Sequence, residues 1–332
     1  MRPRQSAQVG FVLAVVSAFT FATSGTFARS LLEVGWSAEA VVIARVGVAA
    51  LVLAVPAILA VRGRWASLRG SLSMIGLFGL LGVATAQACF FNAVRYLPVG
   101  IALLLEYLGV ILVVLWMWAR HGHRPRRLTV IGAATAILGL VFVLDLTGAE
   151  RMDPVGVLWG LGAAVGLAGY FVLAGRADAG VPPVALASGG MAVAALTLLG
   201  LGLVGALPLR VAFDTVTFAG QRTSWMVPVL GLSLVAAVVS YVTGIAATRR
   251  LGARLASFVG LTEVLFAVLV AWLFLAELPR AVQLLGGALI VAGVALVRVD
   301  ELRAASVVPG QGPDAPRPPD ATAREDGPLV NA

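Results

Sequence analysis

The fold is decided by the stretch from Pro98 to Trp116, PVGIALLLEYLGVILVVLW, which is apolar except for one carboxylate near its centre, Glu106. A second stretch, LASFVGLTEVLFAVLVAWLFL at 255–275, carries Glu263 in the same way. An apolar run of about 18 or more residues is long enough to cross a bilayer core as a helix. The two stretches therefore predict membrane-spanning helices that each hold one acidic group away from bulk water.

The composition of the whole chain agrees with a membrane protein. Of the 332 residues, 60% are hydrophobic and 12% are charged, and the mean hydropathy is +0.99. A water-soluble domain of this length needs more charge on its surface, and the short alternating segments of a membrane β-barrel are absent from the sequence. The net charge of +8 is interpreted as a cytoplasmic excess of arginine rather than as a nucleic-acid surface. We predict an all-α integral membrane protein.

Apolar runs recur along the chain and predict ten transmembrane helices. They are expected at 8–28, 38–61, 71–94, 98–119, 127–147, 154–175, 183–206, 224–247, 253–275 and 281–299.

The arginines give the orientation of these helices. With the N-terminus inside, 17 arginines fall in cytoplasmic segments and six in outer segments, and every basic residue of the chain is arginine. Cytoplasmic loops carry such an excess of positive charge, so both termini are expected in the cytoplasm. A multi-pass protein of the cytoplasmic (plasma) membrane is expected, and the composition is typical of a bacterium. His121 and His123 fall in a basic cytoplasmic loop, where solvated side chains are a better interpretation than a metal pair.

The sequence repeats itself once. Residues 91–116 and 244–272 each combine a span that ends in Ala-x-Arg with a span that carries one Glu, and a span rich in small residues follows in each case, at 131–144 and 285–297. Two repeats are therefore expected, at 8–147 and 154–299. Because each has five spans, the second is inverted relative to the first, as in many transporters. The Pro-rich and Asp-rich segment 304–332 predicts a disordered cytoplasmic tail.

The repeats resemble a known family. In the second repeat the resemblance rests on LTEVLFAVLVAWLFLAE (261–277) with Pro279 and Gln283, and in the first on LPVGIALLLEYLG (97–109). The chain resembles the drug/metabolite transporter superfamily, of the kind with two EamA domains, and its first half resembles the threonine/homoserine exporter branch. The resemblance implies secondary transport of a small metabolite, such as an amino acid, without a cofactor.

Arg45 is the natural partner for the first buried carboxylate. Counted from the outer ends of their helices, Arg45 and Glu106 both lie about 10–12 Å below the outer surface. A carboxylate at membrane depth costs about 2.5 kcal/mol or more unless it faces a partner or a cavity. An Arg45–Glu106 ion pair is therefore predicted, either as a fixed bridge between two helices or as a bridge that opens during transport or holds a zwitterionic substrate. A third alternative is that the two side chains never meet.

Glu263 has no arginine at its depth in its own repeat and is the stronger candidate for a proton-coupling residue, with Glu106 as the second. Desolvation favours the neutral carboxyl, so a proton can be taken up and released. The alternative is a permanently neutral Glu263 that is bonded to a hydroxyl of Ser240, Tyr241 or Thr243. Seven further polar residues are candidates for the wall of a substrate cavity, although each can equally form a hydrogen bond between two helices. They are Thr23, Ser24, Gln87, Asn92, Tyr107, Tyr170 and Tyr241.

No enzyme signature is found in a fitting context: HExxH, GxSxG, Walker and Rossmann patterns are absent from the sequence. No catalytic residue, metal or cofactor is therefore expected, and transport would draw on ion or substrate gradients. The expected partners are a small-molecule substrate, the lipid bilayer and protons, with a second copy of the chain as a further candidate and no nucleic acid. A secondary transporter working as an exporter is the leading hypothesis. An uncoupled facilitator and a non-transporting membrane scaffold or receptor are the alternatives.

Overall fold

The protein is described here from a computed structural model, which describes residues 3–63, 69–93, 96–97, 99–122, 125–143, 153–176, 181–218, 220–275 and 280–307. The described residues are mostly helical. The helices are α1 Pro3–Ala22, α2 Ser24–Leu32, α3 Ala38–Ala60, α4 Leu72–Leu77, α5 Ala86–Ala93, α6 Val99–Tyr107, α7 Gly109–His121, α8 Arg127–Val143, α9 Pro154–Arg176, α10 Pro183–Leu203, α11 Met226–Ser233, α12 Ser240–Leu251, α13 Ala253–Gly260, α14 Thr262–Leu275 and α15 Ala281–Val307. Two strands, β1 Thr215–Phe218 and β2 Gln221–Ser224, form a hairpin.

Membrane-spanning character is confirmed for much of this helical set. Within the described residues, six helical stretches are long and apolar enough to cross a bilayer, and two shorter apolar helices lie at Arg127–Phe142 and Leu284–Val297. Helices suit a bilayer because they satisfy their own backbone hydrogen bonds where no water is available. The six stretches are Ser6–Leu32, Ala38–Ala60, Leu72–Ala93, Pro154–Arg176, Pro183–Leu203 and Met226–Leu251.

The sequence predicts one continuous helix for each of the two glutamate-bearing stretches. In the structure, each stretch is divided into two helices. The first is interrupted at Leu108, between α6 and α7, and the second at Leu261, between α13 and α14. Both interruptions have the same form, because the N–H of the interrupting leucine bonds the carbonyl three residues earlier, at 3.1 Å in each case. Each glutamate lies two residues from its interruption, where the regular helical bonding changes.

Two other helices contain wide π-helical segments that the sequence did not predict. One runs from Phe78 to Thr85 and joins α4 to α5, and the other runs from Leu234 to Val239 and joins α11 to α12. The two segments occupy corresponding places, each in the helix that directly precedes an interrupted, glutamate-bearing stretch. Such π segments change the direction of the side chains that follow them and are frequent at functional sites.

The β-hairpin lies in the connection between α10 and α11 and is held to the turn between α2 and α3. The backbone N–H of Ser37 donates to the carbonyl of Arg210 at 2.9 Å, and the indole N–H of Trp36 donates to the carbonyl of Ala212 at 2.5 Å. The rings of Phe27 and Phe218 are stacked with centroids 5.0 Å apart. The all-α expectation therefore holds for the apolar spans, and the extramembrane connection adds a small sheet.

Close helix pairs are built on small residues. A Cβ atom added to Gly139 of α8 would lie 2.6 Å from the carbonyl oxygen of Gly286 in α15, and one added to Gly132 would lie 2.8 Å from that of Gly293. As the residue number rises along α8 it falls along α15, so the two helices are antiparallel. Glycine therefore permits a backbone approach that any larger side chain would prevent.

The C-terminal helix is longer than the sequence predicted. α15 continues to Val307, so residues 304–307, which were expected to begin the disordered tail, are helical. The rest of the predicted tail, 308–332, lies outside the described residues, as do Pro279 and His123.

Candidate functional site

A cavity of about 80 Å³ lies between the two halves of the chain. Glu106 and Glu263 both line it, together with Gln87, Tyr107, Tyr170 and Tyr241. The structure thus brings six of the polar residues singled out in the sequence to one place. Because the cavity has polar walls and room for more than one water molecule, it can hold a small polar ligand.

The helix interruptions position both carboxylates. Glu106 is in the last turn of α6, just before Leu108, while Glu263 is in the first turn of α14, just after Leu261. A helix N-terminus carries unpaired N–H groups and partial positive charge, which stabilise a carboxylate in the first turn. The two glutamates are close enough to interact electrostatically, although they are far apart in sequence.

Arg45 lies behind one wall of the cavity and is 4% exposed. Its guanidinium donates to the side-chain oxygen of Gln87 at 3.2 Å and to the carbonyl of Ala236, within the second π segment, at 2.7 Å. One face of it lies over the ring of Phe21, 4.5 Å from the centroid. Its Nε atom is buried without a hydrogen-bond partner among the described residues.

The predicted ion pair of Arg45 with Glu106 is therefore not formed as a direct contact between these two described side chains. The amide of Gln87 takes the place that a carboxylate was expected to occupy. Arg45 still interacts electrostatically with Glu106, and also with Glu263. The expectation that Glu263 has no cation near it is true only within its own half, because the guanidinium is supplied by the first half.

The hydroxyl that contacts Glu263 is that of Tyr107, which follows Glu106 in the sequence. The hydroxyl groups expected for this role are used elsewhere. Ser240 donates to the carbonyl of Ala236 at 2.7 Å, and Thr243 to that of Val239 at 2.7 Å, both within their own helix. The second carboxylate thus interacts with a hydroxyl group from the other repeat.

Gln87 connects the arginine to the tyrosines. Its side chain accepts a hydrogen bond from Arg45 and also interacts with the hydroxyl of Tyr241. Tyr241 meets Tyr170 edge to face, with ring centroids 5.5 Å apart and planes at 86°. A chain of contacts therefore runs from the buried cation through an amide to the aromatic wall of the cavity.

Glycines make room for Tyr170 in the middle of this wall. A Cβ atom on Gly82 would lie 3.0 Å from the Cα of Tyr170, and one on Gly244 would collide with the Tyr170 hydroxyl and the Ser17 Oγ. The phenol therefore reaches the cavity because both neighbouring helices lack a side chain at the point of closest approach.

Three candidate residues do not line this cavity. The Thr23 hydroxyl donates to the carbonyl of Thr20 at 2.6 Å, next to the break between α1 and α2, and the Asn92 amide donates to the carbonyl of Ala88 at 2.9 Å. Ser24 Oγ is buried without a partner among the described residues. Both bonds are made to carbonyls three or four residues earlier in the same helical stretch. They are therefore neither cavity contacts nor the interhelical hydrogen bonds that were expected as the alternative.

Among the wall residues that sequence reasoning missed are Ser17, Phe21, Phe171 and Thr248. A signal for two of them was present, since Ala14, Ser17, Ala18 and Phe21 recur at helical spacing and so share one face of α1. Phe171 and Thr248 gave no comparable signal, because apolar and hydroxyl side chains are common on every face of a membrane helix.

Solved structures show the same fold. Among 29 solved chains that match, one described only as a crystal structure of a protein is 22% identical, with a TM-score of 0.71 over 89% of this chain and 98% of the other. No curated protein matches the chain. The family model of the EamA-like transporter family matches twice, at 8–145 and 154–299, so each match contributes one cavity carboxylate. The chain belongs to the EamA-like transporter family.

Proposed function

We propose that this protein is a secondary transporter that moves a small metabolite across the cytoplasmic membrane by alternating access. The observation that carries the proposal is the cavity itself, which is lined by both family repeats and holds one carboxylate from each. Buried acidic groups are expensive in a membrane and mark substrate and ion pathways. A scaffold or receptor gains little from two of them in one cavity, which disfavours the non-transporting alternative.

Ten spans in two inverted repeats are part of the proposal. The two halves share two structural features that support the inverted repeat. A π segment occurs in the third and the eighth predicted span, and a helix interruption occurs in the fourth and the ninth. The helix contacts agree with a two-fold relation in the membrane plane. The first predicted span packs along the eighth and the sixth along the third, while the second meets the seventh and the fifth meets the tenth. Such an arrangement allows one half to rock against the other around a fixed site.

Glu263 and Glu106 carry the coupling proton in this proposal, and the favoured direction is export. Glu263 faces the cavity with Tyr107 as its hydroxyl partner and Arg45 as the nearby cation. A carboxylate that can exchange its partners in this way can bind a proton in one state and release it in another. A homodimer in the membrane is compatible with this mechanism but is not needed for it.

The proposal is tested with purified protein in liposomes. A panel of metabolites that includes amino acids is screened for exchange across the membrane without a pH gradient, and then for movement driven by a gradient. Glu263→Gln keeps the shape and most of the hydrogen bonding but cannot release a proton. Exchange should survive in this variant while gradient-driven movement is lost.

Glu33→Gln is the matched control, because Glu33 is an exposed glutamate that pairs with Arg29 at 2.9 Å outside the cavity. It should behave like the unmodified protein in both assays. Gradient-driven movement that is unchanged in Glu263→Gln would exclude Glu263 as the proton site. Exchange with no gradient-driven movement in the unmodified protein would favour the uncoupled facilitator, and no movement of any compound would refute transport.

A further inference from the structure

The segment 204–213, which leads from α10 towards the β-hairpin, exposes several apolar side chains. Val204 is 77% exposed, Val211 50% and Phe213 70%. Single exposed apolar residues are normal on a protein surface, but a group of them in one short segment marks a surface that meets lipid or another protein. Something other than water should therefore cover this segment.

The segment begins where α10 ends and stays close to that end. α10 ends at Leu203, and Gly205 follows with a positive φ of 78°. A left-handed residue directly after a helix turns the chain away from the helix axis. The side chain of Leu209 then lies against the last turn of α10, because a Cβ atom on Gly202 would collide with it. The chain therefore turns at the end of α10 instead of rising away from it.

The second half of the segment is bonded to the beginning of α3. The hydroxyl of Ser37, the N-cap of α3, donates to the carbonyl of Pro208 at 2.8 Å and accepts from the N–H of Arg210 at 3.1 Å. The indole of Trp36 donates to the carbonyl of Ala212. Since α3 and α10 pack side by side, the segment crosses the ends of two neighbouring spans and follows the proposed membrane surface.

Aromatic rings lie at the same level. Phe213 meets Trp225 with ring centroids 5.3 Å apart and planes at 63°, and Trp225 lies 5.9 Å from Trp36. Trp36 comes just before α3 and Trp225 just before α11, so both tryptophans mark the outer ends of spans. Tryptophan is enriched at the boundary between headgroups and hydrocarbon. The exposed ring of Phe213 is therefore held at the level of that boundary.

The lipid-facing surface of α10 continues into the segment. Leu196 and Leu203 are 71% and 76% exposed on a helix that is long and apolar enough to cross a bilayer. Arg210 is exposed among the apolar residues of the segment, and an arginine can lay its stem on apolar surface while its charge stays with water and headgroups. A protein partner would have to cover a surface that begins inside the bilayer, whereas lipid covers it without a break.

We propose that the segment 204–213 is an interfacial membrane anchor that lies in the headgroup layer of the outer leaflet. Its exposed apolar side chains enter the upper part of the hydrocarbon, as those of interfacial helices do. The anchor ties the outer ends of α3 and α10 to the lipid surface through the bonds of Trp36 and Ser37. The inference goes beyond the proposed transport and needs only that α3 and α10 cross the membrane.

Spin labels on single cysteines measure the depth of the segment. The purified full chain, in a Cys89→Ser background, is reconstituted into vesicles of phosphatidylcholine and phosphatidylglycerol with a labelled cysteine at Val204 or Val211. Leu196→Cys is the lipid reference. Glu33→Cys is the water reference, because Glu33 is an exposed glutamate just after α2. Collisions of each label are measured with oxygen, which concentrates in hydrocarbon, and with a water-soluble nickel chelate.

The labels at 204 and 211 should collide more with oxygen and less with the nickel chelate than the label at 33, and should fall between the two references. All four labelled positions are exposed in the folded protein, so the labels replace no buried contact. Labels at 204 and 211 that meet the nickel chelate as freely as the label at 33 would overturn the anchor. The apolar segment would then be free to bind another protein.

Crosslinking to lipid tests the unmodified sequence. A phospholipid with a photoreactive group in its headgroup is reconstituted with the native chain, and the labelled peptides are identified by mass spectrometry. The segment 204–213 should be labelled by this lipid, whereas a lipid with the reactive group at the end of an acyl chain should label the middle of α10. Headgroup labelling of the connection 33–37 without labelling of 204–213 would also overturn the anchor. Neither measurement requires transport, so the anchor and the proposed function fail separately.

Discussion

The guanidinium of Arg45 in α3 donates a 3.2 Å hydrogen bond to the side-chain oxygen of Gln87 in α5, and Gln87 in turn contacts Tyr241 in α12. Three helices are thus joined behind the cavity by one buried cation and one amide. The arginine remains within electrostatic range of both carboxylates. The cation is thus hydrogen-bonded to neutral groups of the protein, while both carboxylates line the cavity.

Replacing Gln87 with Met should destabilise the protein. The substitution keeps the volume but removes an acceptor from Arg45, whose Nε already has no partner among the described residues. A buried donor left unsatisfied costs about 1–3 kcal/mol, and more when it is charged. Thermal unfolding in detergent measures the loss. Thr85→Val is the control in the adjoining π segment, because the Thr85 hydroxyl bonds the carbonyl of Leu80 in its own helical stretch and joins no other helix among the described residues. Equal unfolding temperatures for the two variants would contradict the role assigned to Gln87.

The glycine contact between α8 and α15 leads to a second prediction. Gly139→Ala should destabilise the protein by about 1–3 kcal/mol, because the new Cβ would lie 2.6 Å from the carbonyl oxygen of Gly286 and 2.7 Å from the N atom of Ile290. Gly200→Ala is the control, since none of the described residues lies within 4 Å of its added Cβ and alanine is the better helix former. It should be neutral or stabilising in the same thermal assay. A Gly139→Ala variant as stable as Gly200→Ala would mean that the two helices are less closely packed than described.

Much of the site was predictable from the sequence because membrane burial makes polar residues informative. Glu106, Glu263, Gln87 and Arg45 were conspicuous in apolar surroundings, and the structure places all four in or beside one cavity. The cost of burying such groups in lipid is large enough to gather them in one place.

The partners of these residues were not predictable. Matching depth placed Arg45 opposite Glu106, but depth fixes only one coordinate, and rotation about the helix axis decides that Gln87 is the contact. The π segments left no sequence signal, because neither a proline nor a charge lies in them and the bonding pattern changes inside ordinary apolar runs. The interruptions at Leu108 and Leu261 were not predicted either, although each lies next to a glycine and two residues from a glutamate.

The orientation in the membrane is the third prediction. Four of the glycines with positive φ lie in connections between the proposed spans and are suitable positions for reporter fusions: Gly35, Gly63, Gly122 and Gly220. Because arginines concentrate on the cytoplasmic side, reporter fusions after Gly63 and Gly122 should read as cytoplasmic, and those after Gly35 and Gly220 as external. An external signal at Gly122 together with a cytoplasmic one at Gly220 would reverse the orientation. The same signal from both would break the proposed inverted arrangement.

The contact between α2 and the hairpin lies on the proposed outer side of the membrane. α2 is the part of the first span that follows the break at Thr23. Phe27 of α2 stacks on Phe218 with the ring planes at 13°, and the Ser37 hydroxyl donates to the carbonyl of Pro208 at 2.8 Å. The buried residues behind it, Leu31 and Val216 among them, form a small apolar cluster. In the proposed alternating-access cycle, we expect this contact to separate when the cavity opens outward.

Fixing that contact should therefore stop transport. In a Cys89→Ser background, which removes the single native cysteine, Phe27→Cys and Phe218→Cys replace the two stacked side chains of this contact with thiols. Oxidation, or a short thiol-specific crosslinker, joins α2 to the hairpin and blocks outward opening. Substrate exchange in liposomes should fall to background and return when a disulfide is reduced.

The control pair is Thr215→Cys with Ser224→Cys, which face each other across the two strands of the hairpin. Linking them should leave exchange intact, because it adds no bond between the hairpin and α2. Full exchange in the locked protein, with crosslinking verified by mass spectrometry, would show that this contact stays closed throughout the cycle and that the cavity opens outward by another route.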